Sequence, residues 1–386
     1  MATYSVIDTD THLTEPHDLW TANAPITHRD RVPRVKVVDG LQMWTVDGVV
    51  LGRASASSVV HRDGHRNRGM EFTTWNFDDA AIAAWDVEAR LAMMDENGIW
   101  AHIIYPNTAG FGGQRFADLD DLVLKNMCAS LYNDAMVEMQ RNGKGRLFPM
   151  ALMPWWDIDA SVAEAERCAA MGLRGINMTS DPQQGGAPDL ACRDWDPFWE
   201  VCEGLGLPVN FHIGASQNTF SWFGDSPWPS LDPDRKLGIG SSMMYLSNAR
   251  VISNLIFCGL LERHPQLQFV SVESGIGWIP FLLEAIEHQF HETSADGFPD
   301  LSLTPLEYFQ RNMYACYWFE KANIAHTISV LGADRILFET DFPHPTCLFP
   351  DSMATAAPGL ATLSEDDRRK VLQDNAAALY GIELPG

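Results

Sequence analysis

From residue 86 onward, two kinds of apolar stretch alternate along the chain. Residues 87–98 repeat apolar positions at helical spacing and stop on Gly98. Such a pattern predicts an amphipathic helix with a glycine stop. Residues 100–106 then form a short apolar run, as a buried strand does. The alternation continues with a long helix over 119–141, a strand over 146–154, a helix over 158–171 ended by Gly172, and a short strand at 175–178. A helix from 196 closes near the glycines at 204 and 206, and a strand follows at 208–213. Helix 248–262, strand 268–273, helix 278–289, strand 312–317, helix 324–331 and strand 335–341 complete the series. Ser364 is placed to cap a helix whose first turn carries Glu365, Asp366 and Asp367. A last helix covers 374–380.

With an opening apolar run that ends at His12, about eight strands are separated by helices. Strand–helix alternation implies a parallel sheet with right-handed crossovers. Eight units at this length favour an α/β fold of the closed (β/α)8 TIM barrel kind over an open doubly wound sheet. The open alternative is weakened because no G-x-G-x-x-G follows the first strand. Before the regular part lies a loop-rich stretch, 21–77. It holds a hairpin pattern over 43–51 turning at Asp47-Gly48, and a basic, glycine-containing segment at 61–68. The chain therefore reads as one domain, 1–386, with an inserted N-terminal cap that serves as a surface loop or as a lid.

Chemistry gathers at the strand ends. In the opening stretch Asp8, Asp10 and His12 recur at every second position, which puts them on one face of a strand. Unpaired buried charge is very costly, and a divalent cation is the simplest compensation. Three later strands also finish in such residues: Phe211-His212, Val272-Glu273 and Thr340-Asp341, the last followed by His344. In a barrel these ends converge where active sites form. Two imidazoles with two or three carboxylates make a mixed nitrogen and oxygen site suited to zinc, manganese or iron.

These motifs carry a resemblance. The Asp8-x-Asp10-x-His12-x-x-Glu15-Pro16 opening resembles that of amidohydrolase-related metal enzymes of the aminocarboxymuconate-semialdehyde decarboxylase group. So do Phe211-His212, the run from Val272 to Trp278, the run from Glu339 to His344, and the closing Asn375–Gly381 segment. The resemblance implies one divalent ion, zinc or manganese with iron as a further option. It implies Asp10, His12, His212 and Asp341 as ligands, and Asp341, Glu273 and His344 as catalytic candidates. Many relatives have a histidine where this chain has Glu273, so a further ligand or a general base is expected there instead. The implied reaction is nonoxidative decarboxylation of an aromatic or enol-like carboxylic acid. Hydrolysis of a C–C, C–N or ester bond by metal-activated water is the alternative, and a non-catalytic binding barrel is the remote one.

Several further positions have a functional and a plain reading. Asp8 is expected to orient a ligand imidazole or to form a salt bridge at the barrel base. Glu15 is expected to brace the first loop, and His102 to be a core histidine. Arg115, in the glycine-rich loop after the second barrel strand, is placed to pair a substrate carboxylate. Trp222 and Trp318 follow two strands and would suit a planar substrate, although ordinary packing explains them as well.

Charge and cysteines narrow the partners. The formal net charge is -24, from 51 acidic and 27 Lys or Arg residues, which disfavours nucleic acid and anionic membranes. It leaves a small, carboxylate-bearing substrate possible, because a metal inverts the local field. Seven cysteines lack any C-x-x-C pair, and the N-terminus lacks a basic region leading into an apolar run. A cytoplasmic protein is expected from both, working as a homo-oligomer.

Overall fold

A computed structural model describes residues 4–222 and 228–385 of the chain; the side chains of 220–222 fall outside that description. Twelve strands lie in chain order: β1 Val6–His12, β2 Arg34–Val38, β3 Leu41–Val46, β4 Val49–Arg53, β5 Ile99–Tyr105, β6 Leu147–Pro149, β7 Ala151–Leu152, β8 Ile176–Asn177, β9 Val209–His212, β10 Phe269–Val272, β11 Met313–Tyr317 and β12 Ile336–Phe338. One parallel sheet runs β1-β5-β6 and another β7-β8-β9-β10-β11-β12. Met150 joins β6 to β7: its N–H donates to the Ile104 carbonyl at 2.9 Å, while the next N–H, of Ala151, donates to Gly175 at 3.0 Å. One extended segment thus pairs with β5 on one side and β8 on the other.

The ring closes between β12 and β1. Thr11 bridges Phe342 in parallel, His12 N–H donates to the Phe342 carbonyl at 2.7 Å, and Asp341 N–H to Asp10 at 2.8 Å. Counting the interrupted segment once, eight parallel staves surround a packed interior, the (β/α)8 barrel that the alternation predicts. Ile7, Ala101, Ile103, Tyr105, Val270, Val272, Cys316 and Leu337 fill that interior. The spacing of Ala101, Ile103 and Tyr105 is the period of two that points alternate side chains inward. Ala376 and Tyr380 of the closing helix, Asn375–Tyr380, join the same cluster and plug one end. The Tyr380 and Tyr105 hydroxyls both donate to Asn210 Oδ1, at 2.7 and 3.1 Å.

The insertion is more ordered than a loop. β2, β3 and β4 form an antiparallel sheet, with Asp47 and Gly48 at φ 45° and 87° turning β3 into β4. Positive φ at both central residues is the requirement of the tight hairpin turn that suits strand twist. Trp44 is fully buried edge-on to Trp20, with ring centroids 5.1 Å apart. Both belong to the hydrophobic cluster that includes the barrel helices, so insertion and barrel share one core. Farther on, Val59 N–H donates to the Pro343 carbonyl at 2.8 Å and Arg66 to that of Pro345 at 2.8 Å. The insertion thereby lies against the loop that follows β12.

Some elements differ from expectation. The helix expected over 248–262 breaks at Gly259, whose φ is 68°, into Asn248–Phe257 and Leu260–Arg263. β12 stops at Phe338 rather than at 341, because Asp341 has φ 60° and leaves the extended region. Helices Pro233–Met244, Pro305–Asn312 and Ser352–Leu360 and the strand β2 are additional to the elements expected from the sequence.

Candidate metal centre

Asp10 and His12 at the end of β1, His212 at the end of β9, Glu273 just past β10 and Asp341 past β12 converge at one end of the barrel. All five are buried. His12 Nε2 lies 2.9 Å from His212 Nε2. Asp10 Oδ1 is 3.5 Å from the first and 3.4 Å from the second. Asp341 Oδ1 is 3.5 Å from His12 Nε2, and Glu273 Oε2 is 3.4 Å from His212 Nε2. One ligand atom each from Asp10, His12, His212 and Glu273 fits within 4.8 Å of all the others; His12, Asp341 and His344 form a second such set.

The far nitrogens fix the tautomers. His12 Nδ1 faces the Pro106 carbonyl at 3.2 Å, and His212 Nδ1 faces that of Ile213. A carbonyl accepts only, so each Nδ1 carries a proton, and in the neutral imidazole each Nε2 is a lone pair. Two lone pairs 2.9 Å apart repel unless something positive lies between them. Around them Asp10 Oδ1 and Oδ2, Glu273 Oε2 and Asp341 Oδ1 are buried without a hydrogen-bond donor. Every atom that faces the centre is therefore an acceptor. This donor set fits a divalent cation, and with a backbone carbonyl behind each imidazole it has the usual build of a metal site.

Electrostatics give the same picture. Burial, and then the Asp341 and Asp10 charges, push Glu273 well above the usual carboxylate range. Burial likewise raises Asp10 against the pull of His212. Burial, with His344 and His212 beside it, lowers His12. Burial opposes protonation of His212, but the Asp10 carboxylate outweighs it and holds that imidazole above its ordinary value. Without a cation, protons have to offset the crowded charge.

The surrounding residues aim this cluster. Asp341 Oδ2 accepts from Thr346 Oγ1 at 2.6 Å, which leaves Oδ1 turned to the centre; the same hydroxyl lies 3.3 Å from Glu273 Oε1. His344 stacks on His12 with centroids 3.6 Å apart, its Nδ1 is 3.3 Å from Asp341 Oδ1, and Asn107 donates to its Nε2 at 2.8 Å. Arg90 is fully buried under the first strand and donates to the His12 carbonyl at 2.6 Å and to Ala84 at 3.0 Å. Burial pushes its guanidinium down to about 10.

Above the cluster opens a cavity of about 220 Å³. Glu273, His344 and Thr346 form its floor, with Phe111 beside them against both His12 and His212. Helix Pro233–Met244 contributes Leu237, Ser241 and Met244, spaced three and four apart on one face. Ser57 and Phe72 of the insertion complete the wall, so the insertion does border the cavity.

The other expected positions are placed as follows. Arg115 borders the cavity and donates to the Leu51 carbonyl of β4. Trp318 does not line it: the indole is fully buried against Tyr245 and Phe319, because the loop after β11 turns its first aromatic inward. The side chain of Trp222 lies outside the described residues. Asp8 does not orient a ligand imidazole. It accepts from Thr340 N–H at 2.9 Å and Oγ1 at 2.5 Å, tying β1 to the end of β12, with His102 3.8 Å away in the core. Glu15 accepts from the N–H groups of Asn107 and Thr108, both at 2.8 Å, and so braces the loop after β5. Thr346, Asn107, Phe111 and Arg90 escaped the sequence reading. The 237, 241, 244 spacing was a legible signal of a lining helix face.

Residues 7–382 match the family model described as Amidohydrolase. The chain belongs to the amidohydrolase family. Gamma-resorcylate decarboxylase of Polaromonas sp. strain JS666 is 26% identical over 308 residues, covering 76% of this chain and 87% of the relative. The protein of that name from Rhodococcus jostii is 25% identical over 329 residues, covering 81% and 92%. Among solved structures, an amidohydrolase from Mycobacterium avium subsp. paratuberculosis K-10 superposes with a TM-score of 0.76 at 22% identity, covering 99% of this chain and all of its own. The 5-carboxyvanillate decarboxylase of Novosphingobium aromaticivorans, solved with bound manganese, has a TM-score of 0.66 at 18% identity, covering 98% and 97%. These likenesses support the barrel fold. No described helix of this amidohydrolase is long and apolar enough to cross a membrane.

Proposed function

We propose that this protein is a divalent-metal-dependent nonoxidative decarboxylase of a hydroxylated aromatic carboxylic acid. The observation that carries the reading is the all-acceptor cluster: two Nε2 lone pairs 2.9 Å apart, ringed by carboxylate oxygens without donors. The curated relatives named gamma-resorcylate decarboxylase add the reaction type. In this reading Asp10, His12, His212 and Asp341 hold the ion, manganese or zinc. When bound, the ion supplies a positive centre that orients a substrate carboxylate beside its hydroxyl.

The chain's own residues do the rest. The cavity of about 220 Å³ exceeds the roughly 150 Å³ that admits benzene and suits one substituted ring. Phe111, Leu237 and Met244 line the space for that ring. Arg115 at the rim serves a second polar or anionic substituent. Loss of carbon dioxide breaks a carbon–carbon bond and leaves its electron pair on the ring carbon, which must then take a proton. Glu273, buried at the cavity floor with Oε2 3.4 Å from His212 Nε2, is the acid placed to supply it. His344, bonded to Asn107 through Nε2 with its Nδ1 3.3 Å from Asp341 Oδ1, positions rather than donates.

The test is anaerobic turnover of dihydroxybenzoates by manganese-loaded protein in ¹⁸O water. Release of carbon dioxide without ¹⁸O in the organic product is expected; ¹⁸O in an acyl product would move the protein to the hydrolases. Glu273→Gln should keep stoichiometric metal and lose turnover, whereas His212→Ala should lose both. The seven cysteines are all unpaired, which supports a reducing cytoplasm, and exposed Phe281 and Val37 support a homo-oligomer. A monomer mass by light scattering would remove the oligomer from this reading.

A further inference from the structure

The loop that follows β10 carries Glu273 and is held by a side chain from the neighbouring strand's loop. Glu320, just past β11, reaches across so that Oε1 accepts from Ile276 N–H at 2.8 Å and from Gly277 N–H at 2.7 Å. Its Oε2 is buried with no partner at all. A largely buried carboxylate is expensive, and here it lies against successive backbone N–H groups, the arrangement by which a turn cradles an anion. The sequence around it makes the room. A Cβ on Gly275 would stand 2.9 Å from Glu320 Oε1, and one on Gly277 3.2 Å from it. Gly275 also has φ +67°, which favours glycine on its own account. The Ser274-Gly275-Ile276-Gly277 run is therefore shaped to receive this carboxylate.

The opposite end of the loop is held as well. Glu273 N–H donates to Glu339 Oε2 at 2.9 Å, and Trp278 Nε1 donates to the Ser274 carbonyl at 2.7 Å. Between these two ties Glu273 adopts φ +57°, a conformation that a residue with a Cβ keeps only under constraint. Glu320 is itself anchored, since Tyr317 Oη donates to the Glu320 carbonyl at 3.2 Å and to Ala356 at 2.7 Å. We propose that Glu320 is a positioning residue for Glu273: its carboxylate clamps the 276–277 backbone so that Glu273 stays in its left-handed conformation, with Oε2 turned to the metal centre. Glu320 touches neither ion nor substrate. Without it, two N–H groups lose their acceptor, the glycines on either side relax, and Glu273 can swing toward ordinary backbone angles and away from the centre.

The inference rests on the metal-centre reading, so the test separates the two. Manganese-loaded wild type, E320A and E320Q are compared by amide hydrogen exchange over 273–279, by the manganese EPR spectrum, and by kcat and KM on whichever aromatic acid the wild type turns over. We expect E320A to exchange at Ile276 and Gly277 at least tenfold faster, to bind manganese with an altered spectrum, and to lose at least tenfold in kcat with KM within about twofold. E320Q keeps an acceptor oxygen of the same reach and should recover most of each. If E320A does not fold, E320D, one methylene short, is read by the same measurements against the same criteria. Unchanged exchange in E320A overturns the clamp, as does fast exchange with a wild-type manganese spectrum. A wild type that binds no manganese overturns the metal-centre reading instead, while the exchange data still decide the clamp.

Discussion

Replacing Thr346 by valine tests how the metal centre is aimed. The side chain keeps its shape and loses one hydroxyl, so no cavity opens. In the native arrangement Oγ1 donates to Asp341 Oδ2 at 2.6 Å, a short hydrogen bond to a carboxylate. Hydrogen bonds to charged groups contribute about 1.5–3 kcal/mol. In Thr346→Val, Oδ2 is left buried and without this donor, and the carboxylate is free to rotate Oδ1 away from His12. At about 1.4 kcal/mol per tenfold, the loss corresponds to roughly 10- to 150-fold weaker metal binding. Removal of a partner behind a metal ligand typically costs about 10- to 100-fold, which agrees. The assay is competition between protein and a chelator for manganese at fixed pH, followed by the EPR signal of the free ion. Thr346→Ser keeps the donor and should stay within about threefold of wild type. Affinity of Thr346→Val within threefold of wild type would show that Asp341 is aimed by something other than this hydroxyl.

Two further outcomes follow from buried charge. Asp8, Asp10, Glu273 and Glu339 are each raised, chiefly by burial. Above their unfolded values near 4 the metal-free native state thus holds more protons than the unfolded chain, so stability falls as pH rises through the raised range. His212, also raised, adds the same sign, and His12, lowered, opposes it only below about pH 6.5. As pH rises above about 6.5 the metal-free melting temperature should therefore drop, and manganese should flatten or reverse that slope; parallel slopes with and without metal would refute the assignment. Arg90→Met strands the carbonyls of His12 and Ala83, while Ala84 keeps the Thr14 N–H as a donor. At about 1–3 kcal/mol for a buried group left unpaired, denaturant unfolding should show a loss of roughly 2 kcal/mol or more, and a loss under 1 kcal/mol would mean that water replaces the guanidinium.

What the sequence disclosed and what it hid divide along a physical line. Helix stops at Gly98 and Gly172, the Asp47-Gly48 turn and the Ser364 cap depend on a few adjacent residues, and all are present as expected. Asp10, His12, His212, Glu273 and Asp341 stood out because each ends an apolar run, and barrel topology brings such ends together. Thr346, Asn107 and Arg90 gave no local sign. Asn107 and Arg90 act through contacts across 237 and 78 residues of chain, and Thr346 joins Asp341 to Glu273, 73 residues away, which no periodicity encodes. Trp318 shows the converse failure: sequence places it after a strand end, but the direction in which its loop folds is decided by packing against Tyr245 and Phe319.

The acids that hold or surround the metal end of the barrel then separate into two classes. Asp10, Glu273 and Asp341 point unpaired oxygens at the centre. Asp8, Glu15, Glu320 and Glu339 instead accept from backbone N–H groups, of Thr340, of Asn107 and Thr108, of Ile276 and Gly277, and of Glu273. In each case a carboxylate from one segment fixes a loop that follows a different barrel strand. Glu273 and Asp341, at φ 57° and 60°, are both strained for residues with a Cβ, at about 1–3 kcal/mol each. Three of the four clamps act on these segments: Glu339 on Glu273 itself, Glu320 three and four residues beyond it, Asp8 on the residue before Asp341. Two acids turned inward against their backbone preference need such restraint, and the opening strand supplies part of it. Asp8 therefore has a reason to be buried that is distinct from ligation, and β1 both contributes to the centre through Asp10 and His12 and holds the opposite side of it in place.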